Sequence, residues 1–456
     1  MNLDLLYPYQ LKNAKTLAHL GFGLDGSFVG SGKTLSAFGV MELLQAKAIL
    51  LVVPKSVSPQ WEARFHEFCP DIEVYRPQGS GKDDRTEAIQ GFLNSHADKK
   101  AIILTYEQWR ISGAPLHNFR FDVCYLDEIH RAGNSMTKLY KELRKINADH
   151  RYGASATPMR SSPLQFYGIF NWLYPGCLGR NFWHFKAQYE VANQQGWHVG
   201  FKNLDHLAER IKPFYVKANP EEAKLSLPPL IEEDLIFPLG TKAQKLYEFM
   251  KRDMILEIEN IQINKIENPV NLYNSIVRLG KLQEVCDSME LVGEETESAK
   301  IEILKDSLKD NLIGDNKALL FTRFSRMANI LARELGEYNP AIITGSTKDR
   351  KEQIDKFRLN PTCKVIIGTT ALSEGVDGLQ EAGNLIYMVD VPLGSYGMLT
   401  QIRGRLERHG QKKNMVMIYL MAEKSVDIKL KNLLLKKQEM SEKIFGSLAE
   451  IKDVLS

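Results

Sequence analysis

No run of about 18 uncharged apolar residues interrupts the 456-residue chain, so no membrane-spanning helix is expected. The opening residues, MNLDLLYPYQ, lack the basic segment followed by an apolar stretch that marks a secretory leader. A cytoplasmic protein that makes no use of a membrane is therefore expected. Cysteine is scarce: Cys69, Cys124, Cys177, Cys286 and Cys363 are scattered, without a CxxC pair or a Cys/His spacing suited to zinc, which argues against a disulfide framework or a structural metal. Solenoid repeats and low-complexity tracts are also missing. With 44% hydrophobic and 25% charged residues the chain falls outside the disordered and collagen classes. At about 150 residues per domain, its length allows two or three domains, each with a core of its own.

A net charge of +3 is too small to point to a polyanion partner, but the charge is uneven. From Gln401 to Ser456 there are 12 Lys/Arg against 7 Asp/Glu, enough for a tail that lies along a phosphate backbone or for a solvated helix face.

Short apolar runs recur between helical stretches: Ala48 to Val53, Ala101 to Thr105, Asp122 to Leu126 and Tyr152 to Ala156. A second set comprises Ala318 to Thr322, Ala341 to Thr344, Val365 to Gly368, Leu385 to Val389 and Met415 to Leu420. Such alternation builds parallel sheets covered by helices, so two α/β domains in tandem are expected. Between the sets the texture is helical, as in Thr241 to Ile263 and Asn271 to Val285. The segment Leu225 to Pro238, with Pro228 and Pro229, reads as the linker because proline pairs extend the chain and end helices. The expected division is a first lobe over 1–230, a linker and helical insertion over 231–315, and a second lobe over 316–456 that ends in a basic helix.

Two segments carry chemistry. Ser27 to Thr34, SFVGSGKT, follows an apolar segment and precedes a helical stretch, which is the context of a phosphate-binding loop. There Gly30, Ser31 and Gly32 let backbone amides wrap phosphates, Lys33 reaches the β- and γ-phosphates, and Thr34 ligates Mg²⁺. The strict pattern GxxxxGKT has glycine where Ser27 stands, and another small residue is expected to serve. The apolar run Phe121 to Leu126 ends in Asp127, Glu128, Ile129 and His130. A carboxylate at a strand tip can complete the Mg²⁺ shell, the role expected of Asp127, while Glu128 can orient and deprotonate an attacking water.

In this order the segments resemble a superfamily-two helicase or translocase of the Swi/Snf branch, over almost the whole chain. Leu6 to Gln10 (LYPYQ) is similar to the family's adenine-reading segment, Leu51 to Trp61 (LVVPKSVSPQW) to the block after the second strand, and Thr105 to Glu107 to a DNA-facing turn. Ser155 to Pro158 (SATP) resembles the block that couples hydrolysis to motion. Leu319 to Phe324 (LLFTRF), Gly368 to Asp377 (GTTALSEGVD) and Gln401 to Gln411 (QIRGRLERHGQ) resemble the fourth, fifth and sixth blocks. Tyr7 stands where the family commonly has arginine, and Gly133 where it has lysine.

The resemblance implies tandem RecA-like domains that share one ATP with Mg²⁺. It implies Gln10 on the base edge, Gly375, Asp377 and Gln401 as further nucleotide contacts, and Arg405 and Arg408 as arginine fingers. Such a finger suits a transferring phosphoryl group because guanidinium is planar and permanently charged. It further implies backbone contacts to nucleic acid from Lys55, Thr105, Thr322, Arg323, Thr344 and Thr370. Phosphate contacts carry no sequence information, so the expected partner is double-stranded or branched DNA of any sequence. The implied activity is a DNA-dependent ATPase and helicase that remodels forks or junctions in replication, recombination or repair. Alternatives are an ATP-driven remover of proteins from duplex DNA, an RNA helicase and a non-catalytic DNA clamp; the clamp would predict losses at Lys33, Glu128, Arg405 or Arg408, and all four are present. With no reader segment and no long basic run, chromatin work is not expected.

Overall fold

The described residues of this computed structural model are 1–436, apart from 80, 160–161, 194–197, 219–226, 264–268, 295–297, 374–375, 377, 393–395 and 409. They fall into two compact units, Met1–Ser226 and Leu227–Lys436.

The first unit is built on a seven-stranded sheet. Its strands are β1 (Phe22–Asp25), β2 (Ala48–Val53), β3 (Glu73–Tyr75), β4 (Lys100–Thr105), β5 (Arg120–Asp127), β6 (Asn147–Ala154) and, after a short antiparallel hairpin of β7 (Glu190–Ala192) and β8 (His198–Phe201), β9 (Tyr215–Val216). They lie in the order β3-β4-β2-β5-β6-β1-β9, with every pairing parallel. The two-residue period of a strand sends alternate side chains into two cores, one on each face. Leu50, Val52, Ile102, Leu104, Cys124 and Leu126 enter one, and Ile49, Leu51, Val53, Ile103, Val123 and Tyr125 the other. This explains why β2 reads as a continuous apolar run: both of its faces are covered.

The second unit repeats the plan with β10 (Leu230–Phe237), β11 (Ala318–Phe321), β12 (Ala341–Ile343), β13 (Val365–Gly368), β14 (Leu385–Met388) and β15 (Met415–Ala422). The order is β10-β15-β14-β11-β13-β12, again all parallel. Two parallel α/β domains in tandem are thus the fold of the chain.

The linker expectation needs correction. Residues 230–237 pair along their full length with Met415–Ala422 as an edge strand of the second sheet. Pro228 and Pro229 made it read as a connection, but they only precede the strand, whose acidic stretch Glu232, Glu233 and Asp234 suits an edge, where charge discourages pairing with a second chain. The following helices, Thr241–Ile263, Pro269–Asp287 and Ala299–Asn311, send Tyr247, Met254, Leu282, Val285, Leu304 and Leu308 into the same core as Leu319 and Leu320. Segment 231–315 is accordingly part of the second unit's body rather than a linker. Trp172, weighed as part of a strand-separating wedge, is fully buried with Nε1 donating to Leu143 O at 3.1 Å, while Trp197 lies outside the described residues. Residues 426–436 are helical, and the basic end beyond 436 also lies outside the described residues.

A buried charge network ties these helices to the second sheet. Lys300 Nζ donates to Asp287 Oδ1 at 2.7 Å, Val389 O at 2.8 Å and Asp427 Oδ2 at 3.1 Å, with all three side chains fully enclosed. Burial lowers the ammonium's affinity for its proton, but the two carboxylates more than reverse this. Asp287 moves well above the carboxylate range because burial and the nearby charges of Asp390 and Asp427 outweigh its share of one cation. Removing the cation would leave two buried carboxylates facing each other. Lys300→Ala is expected to destabilise the chain by about 3–5 kcal/mol, measured as the shift in chemical denaturation against the parent chain.

Candidate active site

Three strand ends set the site. In the parallel register Asp25 of β1 and Asp127 of β5 both stand opposite Ala154 of β6. The loop from Gly26, Glu128 and Ser155 therefore all leave the sheet at one level of its carboxyl edge, where open α/β sheets bind ligands.

The loop turns through Gly30 and Gly32, whose φ angles of 83° and 74° lie in the left-handed region that glycine occupies without strain. The helix Lys33–Leu43 follows at once, placing Lys33 and half-buried Thr34 in its first turn. Lys33 Nζ donates to Ser27 O at 2.9 Å and Phe28 O at 2.8 Å, so the loop wraps its own ammonium. Ser31 is buried at the loop's tip. Ser27, standing where the strict pattern has glycine, anchors the loop through its hydroxyl, whose Oγ accepts from Asn13 Nδ2 at 3.2 Å and from Ala218 N at 2.8 Å. These bonds tie it to the helix Pro8–Leu20 and to the segment after β9. Just upstream, buried Asp25 accepts from Ser27 N at 2.9 Å, and burial raises its carboxyl against the pull of Lys33.

At the end of β5, Asp127 Oδ2 accepts from the indole Nε1 of Trp61 at 2.9 Å and Oδ1 from Glu128 N at 3.0 Å. Trp61 is itself held edge-on to Phe38, at 5.6 Å between ring centres, and against Tyr125 at 5.6 Å. The indole thus fixes the rotamer of the carboxylate. Burial, then the charge of Glu128, pushes Asp127 up to about 6, with Trp61 and Lys33 opposing. Glu128 has φ 53°, a left-handed conformation costing about 1–3 kcal/mol in a non-glycine residue and found where a site demands it. Its Oε2 accepts from Ser155 Oγ at 3.1 Å and lies 3.1 Å from His130 Nδ1, which is 3.0 Å from the same hydroxyl. Tyr106, buried in the core, donates its OH to Asp127 O at 2.7 Å and holds the turn.

Gln10, expected on the base edge, bridges the start of the helix Pro8–Leu20 and the glycine loop. Its side chain is 1% exposed; Oε1 accepts from Tyr7 N at 2.9 Å and Nε2 donates to Ser31 O at 2.8 Å. It is a brace between a helix start and the phosphate loop.

The expected nucleic-acid contacts divide. Lys55 and Thr370 are exposed. Three of the hydroxyls are buried and bonded within the protein. Thr105 is the N-cap of the helix Tyr106–Ser112, its Oγ accepting from Gln108 N at 3.1 Å. Thr322 is fully buried and donates to Asp390 Oδ2 at 2.6 Å, and buried Thr344 bonds Ser346 at 3.0 Å. Arg323 is held by its backbone N on Asp390 and its guanidinium on Gln283. In the second unit Gln401 is buried at the end of the helix Tyr396–Arg403; Arg405 donates to Val376 O and Arg408 is partly exposed. Gly375 and Asp377 lie outside the described residues.

Sequence reasoning missed Asp25, the bond from Trp61 to Asp127, the clamp by Tyr106, and Asp390 as the acceptor for Thr322. A carboxylate closing an apolar strand just before the glycine loop was a visible signal for Asp25. The other three are contacts between distant segments and leave no local trace.

A family model described as the SNF2-related domain matches residues 12–291, and one described as the helicase conserved C-terminal domain matches residues 299–410. The chain belongs to the SNF2-related family of superfamily-two helicases. It is similar to the putative ATP-dependent helicase/translocase YwqA of Bacillus subtilis, 24% identical over 97% of this chain and 49% of that protein. It is likewise similar to the ISWI chromatin-remodeling complex ATPase ISW1 of Saccharomyces cerevisiae, 24% identical over 93% of this chain and 39% of that protein. The chain thus spans about half or less of the length of these relatives. Among solved structures, the Sulfolobus solfataricus SWI2/SNF2 ATPase core in complex with dsDNA aligns over 97% of this chain and 93% of that one, at 22% identity and a TM-score of 0.45.

The donor set fits a hydrated divalent ion shared with a polyphosphate. Among the described residues no three or more His, Cys, Asp or Glu side chains are grouped to hold a metal by themselves, and Mg²⁺ typically takes only one or two carboxylates and completes its shell with waters and phosphates. Burial and the charge of Glu128 outweigh the pull of Trp61 and Lys33 on the Asp127 carboxyl. Were Asp127 to hold Mg²⁺, its protonation would remove a ligand, so apparent Mg²⁺ affinity is expected to fall as pH drops through about 6. Trp61→Phe keeps the packing but deletes the donor that favours the ionised form, and should move that midpoint upward. Mg²⁺ titrations of nucleotide hydrolysis at several pH values check both; an unmoved midpoint would remove Trp61 from this role.

Proposed function

We propose that the chain is an ATP-driven motor that moves along double-stranded DNA without regard to sequence and remodels branched DNA at forks and junctions, in replication, recombination or repair. The observation that carries this reading is the meeting of Lys33, Asp127, Glu128 and Ser155 at one sheet edge, in a chain of the SNF2-related family. In it, Lys33 leaves the carbonyls of Ser27 and Phe28 for the β- and γ-phosphates. Thr34 and Asp127 would hold Mg²⁺, which neutralises charge on those phosphates. Glu128 orients a water and takes its proton. Ser155 shares an oxygen of Glu128 and heads the 155–158 block, so a change in the charge of Glu128 is felt directly where coupling to motion is proposed. Arg405 and Arg408 are the proposed cations for the transferring phosphoryl group, and Lys55 and Thr370 remain as proposed backbone contacts.

Lys33→Ala is expected to lose phosphate binding, and Glu128→Gln to bind nucleotide and DNA but stall, since an amide cannot accept the proton. Arg405→Ala or Arg408→Ala should keep nucleotide binding and lose turnover by about 10³-fold. DNA-stimulated phosphate release and nucleotide binding, measured on each variant, distinguish these outcomes; an active Glu128→Gln chain would assign the base elsewhere.

Branched DNA is the proposed substrate because pairs lost on one arm are regained on another, whereas unwinding costs roughly 1.4 kcal/mol of stacking per step with no return. Four-way junctions and forks should be processed faster than a linear tailed duplex at equal concentration. If the linear duplex is the better substrate, or junctions stay intact while ATP is consumed, removal of bound protein from duplex DNA becomes the reading to pursue.

A further inference from the structure

Arg403, the last residue of the helix Tyr396–Arg403, bridges two parts of the second unit. Its Nη1 lies 2.9 Å from Glu232 Oε1 on the edge strand β10, and its Nη2 lies 3.5 Å from Oε2 of Glu407, a residue placed between Arg405 and Arg408 in the sequence. The other oxygen of Glu232 accepts from Tyr419 OH of β15 at 3.1 Å. That bond orients the carboxylate, and the pairing of β10 with β15 along its full length fixes the backbone behind it. Arg403 also holds the turn that follows. Its carbonyl accepts from Leu406 N at 3.0 Å and from Glu407 N at 2.8 Å, while Arg405 N donates to Ile402 O at 3.0 Å and Arg408 N to Leu406 O at 2.9 Å. The backbone from 402 to 408 is therefore one coiled piece, with Leu406 fully buried. At the block's far end Gln411 Nε2 donates to Gly383 O at 2.9 Å, ahead of β14. The block is pinned at both ends, to the sheet's edge strand by Arg403 and to the approach to β14 by Gln411.

An ion pair whose side chains are 23% and 32% exposed contributes little to stability. Its consequence lies in geometry, because a group displaced by about 1 Å from a reacting centre can lose about 10²-fold in rate. We infer that Arg403 and Glu232 are positioning residues for the arginine fingers: they set where Arg405 and Arg408 leave the turn, and act through that turn rather than on the nucleotide. The inference rests on the proposed role of Arg405 and Arg408; it goes beyond it by naming what aims them.

The test uses the full chain with Arg403→Met, which keeps an apolar stem and removes the charge, with Glu232→Gln, and with both changes together. DNA-stimulated ATP hydrolysis, equilibrium ADP binding and chemical denaturation are measured on each, beside Arg405→Ala and Arg408→Ala. Arg403→Met should lower kcat by about 10- to 100-fold, with KM for ATP and ADP affinity held within about twofold and the denaturation midpoint unmoved. Glu232→Gln should lower kcat in the same way, and the double variant should lose no more than Arg403→Met alone, since either single change already breaks the pair. Parental kcat in Arg403→Met, with turnover lost in the finger variants, would overturn the inference and leave the fingers standing. So would a loss of kcat that tracks a fall in the denaturation midpoint, or losses that add in the double variant. Parental turnover in both Arg405→Ala and Arg408→Ala would remove the finger reading, and the inference with it.

Discussion

Parallel pairing of β5, β6 and β1 holds Asp127, Ala154 and Asp25 level across three adjacent strands, and the chemistry of the site follows from that constraint. The glycine loop, a pair of carboxylates and Ser155 come from three separate segments, Gly26–Thr34, Asp127–Glu128 and the chain at Ser155. They meet because each leaves the sheet at the same edge. The register is set by burial: a slip of one residue would turn every side chain of a strand to the opposite core. In this fold both faces are covered, so Leu50 and Ile49 have separate destinations that no other register satisfies.

That constraint also concentrates negative charge. Asp25 and Asp127 both feel the charge of one lysine, Glu128 adds its charge to that of Asp127, and the loop supplies two carbonyls to the same ammonium. The folded carboxyl of Asp127 takes a proton more readily than an unfolded one, so protons favour the folded form and that stabilisation is lost as pH rises through about 6. Left-handed backbone at Glu128 adds a further cost. Buried carboxylates beside Lys33 and the left-handed turn at Glu128 make this strand edge a costly arrangement, of the kind retained where a site demands it.

Much of this was legible in the sequence wherever a local pattern reports the physics. Apolar runs with both faces buried, such as Ala48–Val53 and Val365–Gly368, coincide with the strands to the residue. The glycine loop and the acidic strand end were readable because backbone conformation and metal ligation demand particular residues at fixed spacing. Strands that deviate from the pattern were not. β6 begins Asn147, Ala148, Asp149, His150 with only its later half buried, and β10 is an acidic edge whose partner, β15, lies nearly two hundred residues away. The threonines show a different limit. Thr105, Thr322 and Thr344 stand at strand ends, where a hydroxyl can meet a ligand or cap the chain, and only the surroundings decide. Asp390 claims Thr322, and the backbone of Gln108 claims Thr105.

Asp390 carries this point into the body of the second unit. It accepts from Thr322 and from Arg323 N in the fourth block, and it lies close enough to Asp287 to raise that residue's carboxyl. Asp287 shares Lys300 with Asp427, which follows β15. Polar bonds thus join the strand-end block after β11 to the helix Pro269–Asp287 through Arg323 and Gln283, and that helix to Ala299–Asn311 and the far end of the last strand through Lys300. An apolar core of similar volume would be at least as stable, since replacing buried ion pairs by well-packed hydrophobic residues is often neutral or favourable. A directional network restricts those three elements to positions that satisfy its donors and acceptors, which a smooth hydrophobic interface does not require. Arg323 extends it outward through Gln283, whose amide donates to Val391 O at 2.9 Å. Displacing the fourth block relative to these helices would break several buried polar bonds at once, so within this unit the block and the helices are constrained to move as one rigid piece.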